Sequence, residues 1–380
     1  MKTDGTLRLV AWETTRNCNL SCVHCRAAAT QGPYEGELST GAGAKLLEEI
    51  ARAARPEPGR ASGHPGGPPA GHPGRAGEGE GPPEAFQPIV ILTGGEPLLR
   101  PDIYDLASHG TGLGLRMVMA PNGTLLTEDV AKRLVSCGIQ RISISLDGAG
   151  PEIHDKFRGV PGAFQAALNG IRNAKEAGLA FQINTTVTQQ NLADVEAVQE
   201  MAVKLGAAAH HVFLLVPTGR GKYILDQAIS ADQYEETLNW FAARQAGVPM
   251  QLKATCAPHY YRIIRQRARA EGKSVTFASH GLDAVTRGCL GGTGFCFVSH
   301  TGIVQPCGFL DLNCGDVTKT PFDRVWRESE IFLKLRDYDN LKGKCGRCEY
   351  KAVCGGCRAR AYEKTGDYLA EEPLCSYDPA

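Results

Sequence analysis

At 380 residues, with 42% hydrophobic and 22% charged residues, the chain has a globular composition and room for one large domain and a smaller one. Its 41 basic residues balance its 41 acidic ones, which gives no support for a nucleic-acid or polyanion partner. No run approaches the roughly 20 apolar residues of a membrane span, and Met1–Leu9 lacks the apolar stretch of a secretory signal, so a cytoplasmic protein with no membrane contact is expected.

Fourteen cysteines are many for such a compartment, where metal or redox chemistry is a better default than disulfides. They are unevenly spread. Cys18, Cys22 and Cys25 sit near the start, and Cys289, Cys296, Cys307, Cys345, Cys348, Cys354, Cys357 and Cys375 crowd the C-terminal part. Cys137, Cys256 and Cys314 stand outside these groups.

In chain order, the first β-rich run is Arg8–Thr15 (RLVAWETT), and Thr40–Ala54 has a helical pattern. Arg55–Glu84 follows, rich in Gly and Pro and without apolar periodicity; it is expected to be a disordered insertion. His64 and His72, each before Pro-Gly, leave a metal-trafficking reading open beside that of a solvated loop. Further β-rich runs are Pro88–Gly95, Arg116–Gly123, Arg141–Asp147, Phe181–Thr188 and Ala209–Pro217. Helical patterns lie between them at Asp102–Gly110, Glu128–Ser136, Ala163–Ala177 and Leu192–Leu205. This alternation predicts parallel βα units, six of them, in an α/β fold: a partial TIM-like barrel with its chemistry at the C-terminal strand ends. Ile229–Ala246 and His259–Glu271 read as helices, and from Arg287 the chain is turn-rich. The expected division is a barrel over 1–220, a helical linking region over 221–286 and a small cysteine-rich domain over 287–380.

The stretch Thr15–Arg26 (TRNCNLSCVHCR) begins where the first strand ends and spaces its cysteines C-x3-C-x2-C. Three thiolates can hold three irons of a [4Fe–4S] cube and leave the fourth iron open to a ligand. Structural zinc is the other reading, completed by an inward-pointing His24, although zinc usually takes four ligands in paired spacings. The next strand ends in Thr93-Gly94-Gly95-Glu96-Pro97, where two glycines let main chain approach a ligand closely.

With these motifs the chain resembles the radical S-adenosylmethionine (SAM) superfamily, the resemblance running from Leu7 to about Gly219. It implies that Cys18, Cys22 and Cys25 hold the cluster that cleaves SAM. It also implies that Gly94, Gly95 and Glu96 meet the SAM amino group. Ser145, in ISLDG with Asp147, and Arg158, in HDKFRG, are implied contacts to its carboxylate or ribose; the alternative for Arg158 is a surface residue at a helix start. Asn122, in PNGTLL, reads equally as a turn residue or a ligand contact.

The C-terminal cysteines, with Gly302 ahead of Cys307, resemble the SPASM extension, which carries auxiliary [4Fe–4S] clusters acting as electron relays. By resemblance, Cys289, Cys296, Cys307 and Cys357 hold one cluster, and Cys345, Cys348, Cys354 and Cys375 a second. Two residues separate Cys354 from Cys357 where the family has three, and Cys314 competes for a ligand position. Zinc ribbons share the C-x2-C spacing; the upstream motif favours iron–sulfur.

Longer stretches, among them HHVFLLVPTGRGK and GCLGGTGFCFVSHTGIVQPCG, resemble the SPASM subgroup that acts on haem-like tetrapyrroles, most closely the haem b synthases of the siroheme-dependent route. That resemblance implies an iron-tetrapyrrole substrate and oxidative decarboxylation of two propionates of iron-coproporphyrin III to vinyl groups. An external low-potential electron donor and an electron acceptor are then needed. The alternatives are didecarboxysiroheme deacetylation, haem d1 synthesis, a SPASM peptide maturase, and a non-catalytic electron carrier. Maturases often carry a peptide-binding domain before the barrel, whereas this chain reaches its first strand by Arg8. Candidate substrate contacts are His210, His211, Lys253, His259, Tyr260 and Arg287, with Arg220, Tyr261 and Arg262 beside them. Strand alternation lets only one of His210 and His211 face the barrel, as an iron ligand, a propionate donor or a core histidine. Cys256 reads as an axial iron ligand or a buried thiol.

Overall fold

The computed structural model describes residues 2, 3, 5–54, 87–245, 247–284 and 286–379. The Gly/Pro-rich segment 55–84, with His64 and His72, lies outside the described residues. The chain begins with β1 (Leu9–Thr15), α1 (Thr40–Ala53), β2 (Ile89–Gly94), α2 (Ile103–Gly112), β3 (Arg116–Met119), α3 (Glu128–Ser136) and β4 (Arg141–Ser145). It continues through α4 (Pro151–Arg158), α5 (Ala163–Glu176), β5 (Ala180–Val187), α6 (Val195–Leu205) and β6 (Ala209–Leu214). Then come α7 (Ala231–Arg244), β7 (Gln251–Thr255), α8 (His259–Ala270), the short α9 (Phe277–His280), β8 (Phe295–Val298), β9 (Ile303–Gln305) and β10 (Gly315–Asp316). Four more helices close the chain: α10 (Phe322–Glu328), α11 (Glu330–Arg336), α12 (Gly343–Arg347) and α13 (Arg358–Thr365).

The ten strands among the described residues form one sheet, ordered β10-β9-β8-β1-β2-β3-β4-β5-β6-β7. From β8 to β7 every neighbour is parallel, as βα units require. The fold is the α/β partial barrel followed by a small cysteine-rich part. Four strands lie beyond the six read from the sequence, and two of them continue the parallel part of the sheet. β7 adds to β6 within the stretch read as helical, and β8, from the cysteine-rich part, pairs with β1 from Leu9↔Phe295 to Trp12↔Val298. The sheet thus runs on across the divisions drawn near residues 220 and 287.

Alternation along the strands separates two environments. Val10 and Trp12 on β1, Val90 and Leu92 on β2, and Ile142 and Ile144 on β4 are fully buried and join the helices in the main core. Trp12 packs so closely on α1 that a Cβ at Gly43 would lie 2.5 Å from its ring. The opposite face carries Ser143, Ser145, Asn184 and Thr186, which line a cleft at the strand ends. Helix starts are fixed locally: the Ser39 and Thr127 hydroxyls accept from the Ala42 and Val130 amides, and Ser230 with Gln233 forms a capping box before α7. Among the described residues no helix is long and apolar enough to cross a membrane.

Glu13, on β1 and fully buried, ties the cysteine-bearing loop to the β8–β9 turn. Its carboxylate accepts from Arg26 Nη2 at 3.0 Å and lies 2.8 Å from His300 Nδ1. Burial alone would raise this carboxyl, but His300, Arg26 and Arg16 bring it from 4.5 down to about 2. A depressed acid stabilises the fold above its unfolded value and loses that contribution as pH falls from about 4.5 towards about 2. The shift is worth about 3 kcal/mol. Glu13→Gln should therefore lower stability at neutral pH in chemical denaturation, and the gap to the parent should close below about pH 4. A gap that stays constant with pH would refute this role.

Candidate active site

The loop after β1 holds its shape because four other segments grip its backbone. The Gly95 amide donates to Thr15 O and the Glu96 amide to Asn17 O, each at 2.8 Å. From α4, Arg158 O and Phe157 O accept the Ser21 and Val23 amides. The Cys18 amide donates to Thr30 O. Behind β6, the Arg220 guanidinium donates to Cys22 O and Ala29 O, both at 2.7 Å, and the Arg220 amide to Cys25 O. The fit leaves no room for side chains. A Cβ at Gly94 would lie 2.2 Å from Thr15 O, and one at Gly95 2.4 Å from Asn17 O. The glycine pair is thus needed by the neighbouring backbone, in addition to any ligand.

Cys18, Cys22 and Cys25 line one open cleft with Gly94, Gly95, Asn122, Ser145 and Arg158. N–H groups are aimed at the first two sulfurs: Leu20 N lies 3.4 Å from Cys18 Sγ and Arg158 Nη1 3.6 Å from Cys22 Sγ. Such donors suit thiolates bound to iron. Burial pushes the Cys18 thiol up to about 11 and raises that of Cys22 as well. His24, which a zinc site would need turned inward, does line the same cleft, with its ring centroid 4.7 Å from that of Phe157, but no three of the described His, Cys, Asp or Glu side chains converge there as a single-ion site.

Glu96 lies fully buried behind the cleft wall. Its oxygens accept from the Leu98 and Asn122 amides at 3.1 and 2.6 Å, and burial lifts its carboxyl to about 7 against those two bonds. Asn122 has the turn role its sequence suggested. Its Oδ1 accepts from the Thr124 amide at 2.9 Å as a turn residue does, while the residue also lines the cleft. Arg158 is buried and ion-paired with Asp147, not on the surface at a helix start. Burial alone would raise the Asp147 carboxyl; Arg158, with His24 and His154, holds it below the usual range.

The C-terminal cysteines fall into groups. Cys345, Cys348, Cys354 and Cys375 line one cavity with His259, Arg262, Glu372 and Tyr377. The amides of Glu372, Tyr350 and Gly356 point at the sulfurs of Cys345, Cys348 and Cys354 from 3.4, 3.4 and 3.5 Å. Cys307 and Cys357 share a separate small apolar cluster. Cys296 does not join them. It lies on β8 in register with Val10, on the face opposite Phe297, fully buried in the main core near Cys314. The family resemblance implied a ligand, but strand alternation turns this side chain away. No group of three His, Cys, Asp or Glu side chains among the described residues converges as a single-ion site.

The candidate substrate residues are scattered. His210 faces the helices, with Nε2 2.9 Å from Thr185 Oγ1 and its ring edge-on to Phe241; burial takes it down to about 4. His211 and Lys253 are register partners on the opposite face, where His211 Nδ1 lies 3.0 Å from Gln182 Nε2. His259 lines the second cavity, Tyr260 is buried between α7 and α8 against Phe241, and Arg287 stacks 3.8 Å over Tyr338. None of these six lines the main cleft. Residues missed in the sequence do line it: Arg26, Asn184, Thr186, Phe213 and Phe309. The alternation at the end of β5 was the available signal for Asn184 and Thr186.

Residues 83–202 match the radical SAM superfamily, and residues 289–357 match SPASM, an iron–sulfur cluster-binding domain. The chain is 52% identical to the AdoMet-dependent heme synthase of Nitratidesulfovibrio vulgaris, covering 98% of this chain and 93% of that protein. It is 49% identical to the AdoMet-dependent heme synthase of Methanosarcina barkeri, covering 98% and 97%. Among solved structures it is similar to Streptococcus suis SuiB bound to S-adenosylmethionine, with a TM-score of 0.70 over 98% of this chain and 78% of that one; at 14% identity this likeness concerns the fold.

Gly95→Ala should cut SAM cleavage by at least about 100-fold, because its Cβ displaces the Arg16–Asn17 backbone by the order of an ångström. Quantifying 5′-deoxyadenosine tests this; near-normal cleavage would show that the close approach is dispensable.

Proposed function

The chain belongs to the radical SAM superfamily, within its SPASM-bearing AdoMet-dependent haem synthases, and we propose from this that it makes haem b by decarboxylating two propionates of iron-coproporphyrin III. It is an enzyme whose cofactors are SAM and [4Fe–4S] clusters. The observation that carries the proposal is the near-full-length identity of about half with proteins named for haem synthesis.

In the proposed arrangement Cys18, Cys22 and Cys25 hold the cluster that binds SAM. When bound, the pair supplies an adenosyl radical able to take a hydrogen atom from a propionate β-carbon. The chain's own groups then have separate tasks. Gly94 and Gly95 keep the second strand end flush with the cysteine loop, and Asn122 and Ser145 offer polar groups to SAM from the cleft wall. Glu96 holds the Asn122 amide, and Arg158 braces Cys22 Sγ and Asp147 rather than facing the cleft freely. Phe213 and Phe309 give the cleft apolar surface suited to a macrocycle. Each propionate loses one hydrogen atom, carbon dioxide and one electron on its way to a vinyl group, so an electron acceptor is required as well as a low-potential donor. The C-terminal cysteines are proposed to hold auxiliary clusters for that transfer, in a part beginning near residue 287.

Anaerobic reconstitution with SAM, a reductant and iron-coproporphyrin III should give haem b and two 5′-deoxyadenosine per haem by mass spectrometry. Cys22→Ala should give neither product. SAM cleavage without vinyl products would overturn the decarboxylation and leave the superfamily chemistry standing.

A further inference from the structure

Three of the cysteines outside the second cavity, Cys289, Cys307 and Cys357, need a fourth partner if they hold a fully ligated cube, and Cys296 faces the wrong way. Cys256, which ends the β7 segment, faces the right way. Its side chain packs with Cys307 against the apolar cluster of Cys357, Val216 and Leu310. The Cys289 segment arrives from the other side, with the Gly288 amide donating to Val353 O at 2.8 Å. Gly288 lies so close to the Cys256 segment that a Cβ there would sit 2.6 Å from Pro258 Cα.

One buried ion pair sets both ends of this arrangement. Arg360 Nη2 donates to Cys256 O at 2.6 Å, and Tyr234 Oη donates to the same oxygen at 3.2 Å. Arg360 pairs with Glu372 at 2.9 Å, and Glu372 Oε2 accepts the Cys357 amide at 2.5 Å. The backbone of Cys256 is left-handed, with φ +54°, a conformation that non-glycine residues hold only where the surroundings impose it. Cys296 belongs instead to the main core, in register with Val10 on β1.

We propose that Cys256 is the fourth protein ligand of the auxiliary [4Fe–4S] cluster held by Cys289, Cys307 and Cys357, and that Cys296 is a core residue outside it. Four thiolates complete the usual protein ligation of such a cube. The assignment rests on the auxiliary-cluster reading of the C-terminal cysteines and is independent of which tetrapyrrole is the substrate.

The test compares the reconstituted parent with Cys256→Ala, Cys256→Ser and Cys296→Ala by iron and sulfide counting and by electron paramagnetic resonance of the dithionite-reduced proteins. The parent is expected to carry about twelve irons from three cubes. Cys256→Ala should lose about four of them or, if three thiolates retain the cube, change its resonance. The near-isosteric Cys256→Ser, which keeps the fold and offers an oxygen ligand, should shift the same resonance and its reduction potential. Cys296→Ala should match the parent in both measurements. Parent-like iron and spectra in both Cys256 variants would overturn the assignment, as would loss or a spectral change in Cys296→Ala. A parent with only about four irons would instead refute the auxiliary-cluster reading itself. A parent with about twelve irons that forms no haem would refute only the proposed reaction.

Discussion

The contact of two bare backbones, Gly94–Gly95 against Thr15–Asn17, is the constraint on which the candidate site depends. Both segments are strand ends, and parallel pairing of β1 with β2 brings them side by side. At 2.2 to 2.4 Å for a hypothetical Cβ, any side chain there would separate them. The amide donations to Thr15 O and Asn17 O then fix where the first cysteine starts. Hydrogen bonds of this kind are each worth only about 1 kcal/mol. Their value here lies in register: the cysteine loop is held from α4, from Thr30 and from Arg220 as well, so its sulfurs have little freedom left.

Buried arginines act throughout as braces for main chain. Arg220 and Arg360 donate chiefly to carbonyls, Arg26 combines such a task with a carboxylate pair, and Arg158 reaches the Cys22 sulfur and the Asp147 carboxylate. A planar guanidinium can bridge several carbonyls at once, which a lysine ammonium does less well. Each such charge is costly to bury without a partner, and Asp147, Glu13 and Glu372 meet that need. This explains why a site expected to be rich in free cations for carboxylates shows most of its arginines already engaged.

The sequence carried the six core strands because each is a short apolar run bounded by turn residues. The cysteine loop and the glycine pair were equally legible, since spacing and strand end coincide. What it hid were consequences of pairing at a distance. β7 reads QLKAT, too short and polar to stand out, and gains strand geometry only beside β6. β8 lies in a region whose cysteines drew attention from its FCFV pattern. Its alternation turns Cys296 into the core, while Cys256, far from the cysteine-rich segment in sequence, reaches that segment through the tertiary fold. His210 and His211 were ambiguous for a similar reason: alternation says that they differ, but only the packing of α7 says which one is buried against Phe241.

The pairing of β1 with β8 also bears on how the protein is made. Leu9 leaves the ribosome 286 residues ahead of its partner Phe295. At about 5–20 residues per second, β1 waits tens of seconds with one edge unpaired. An uncovered strand edge is a template for pairing with other chains, and here it leads directly into the cysteine loop. Nascent chains therefore pass through a stage in which the oxidation-sensitive thiols and an adhesive edge are exposed together.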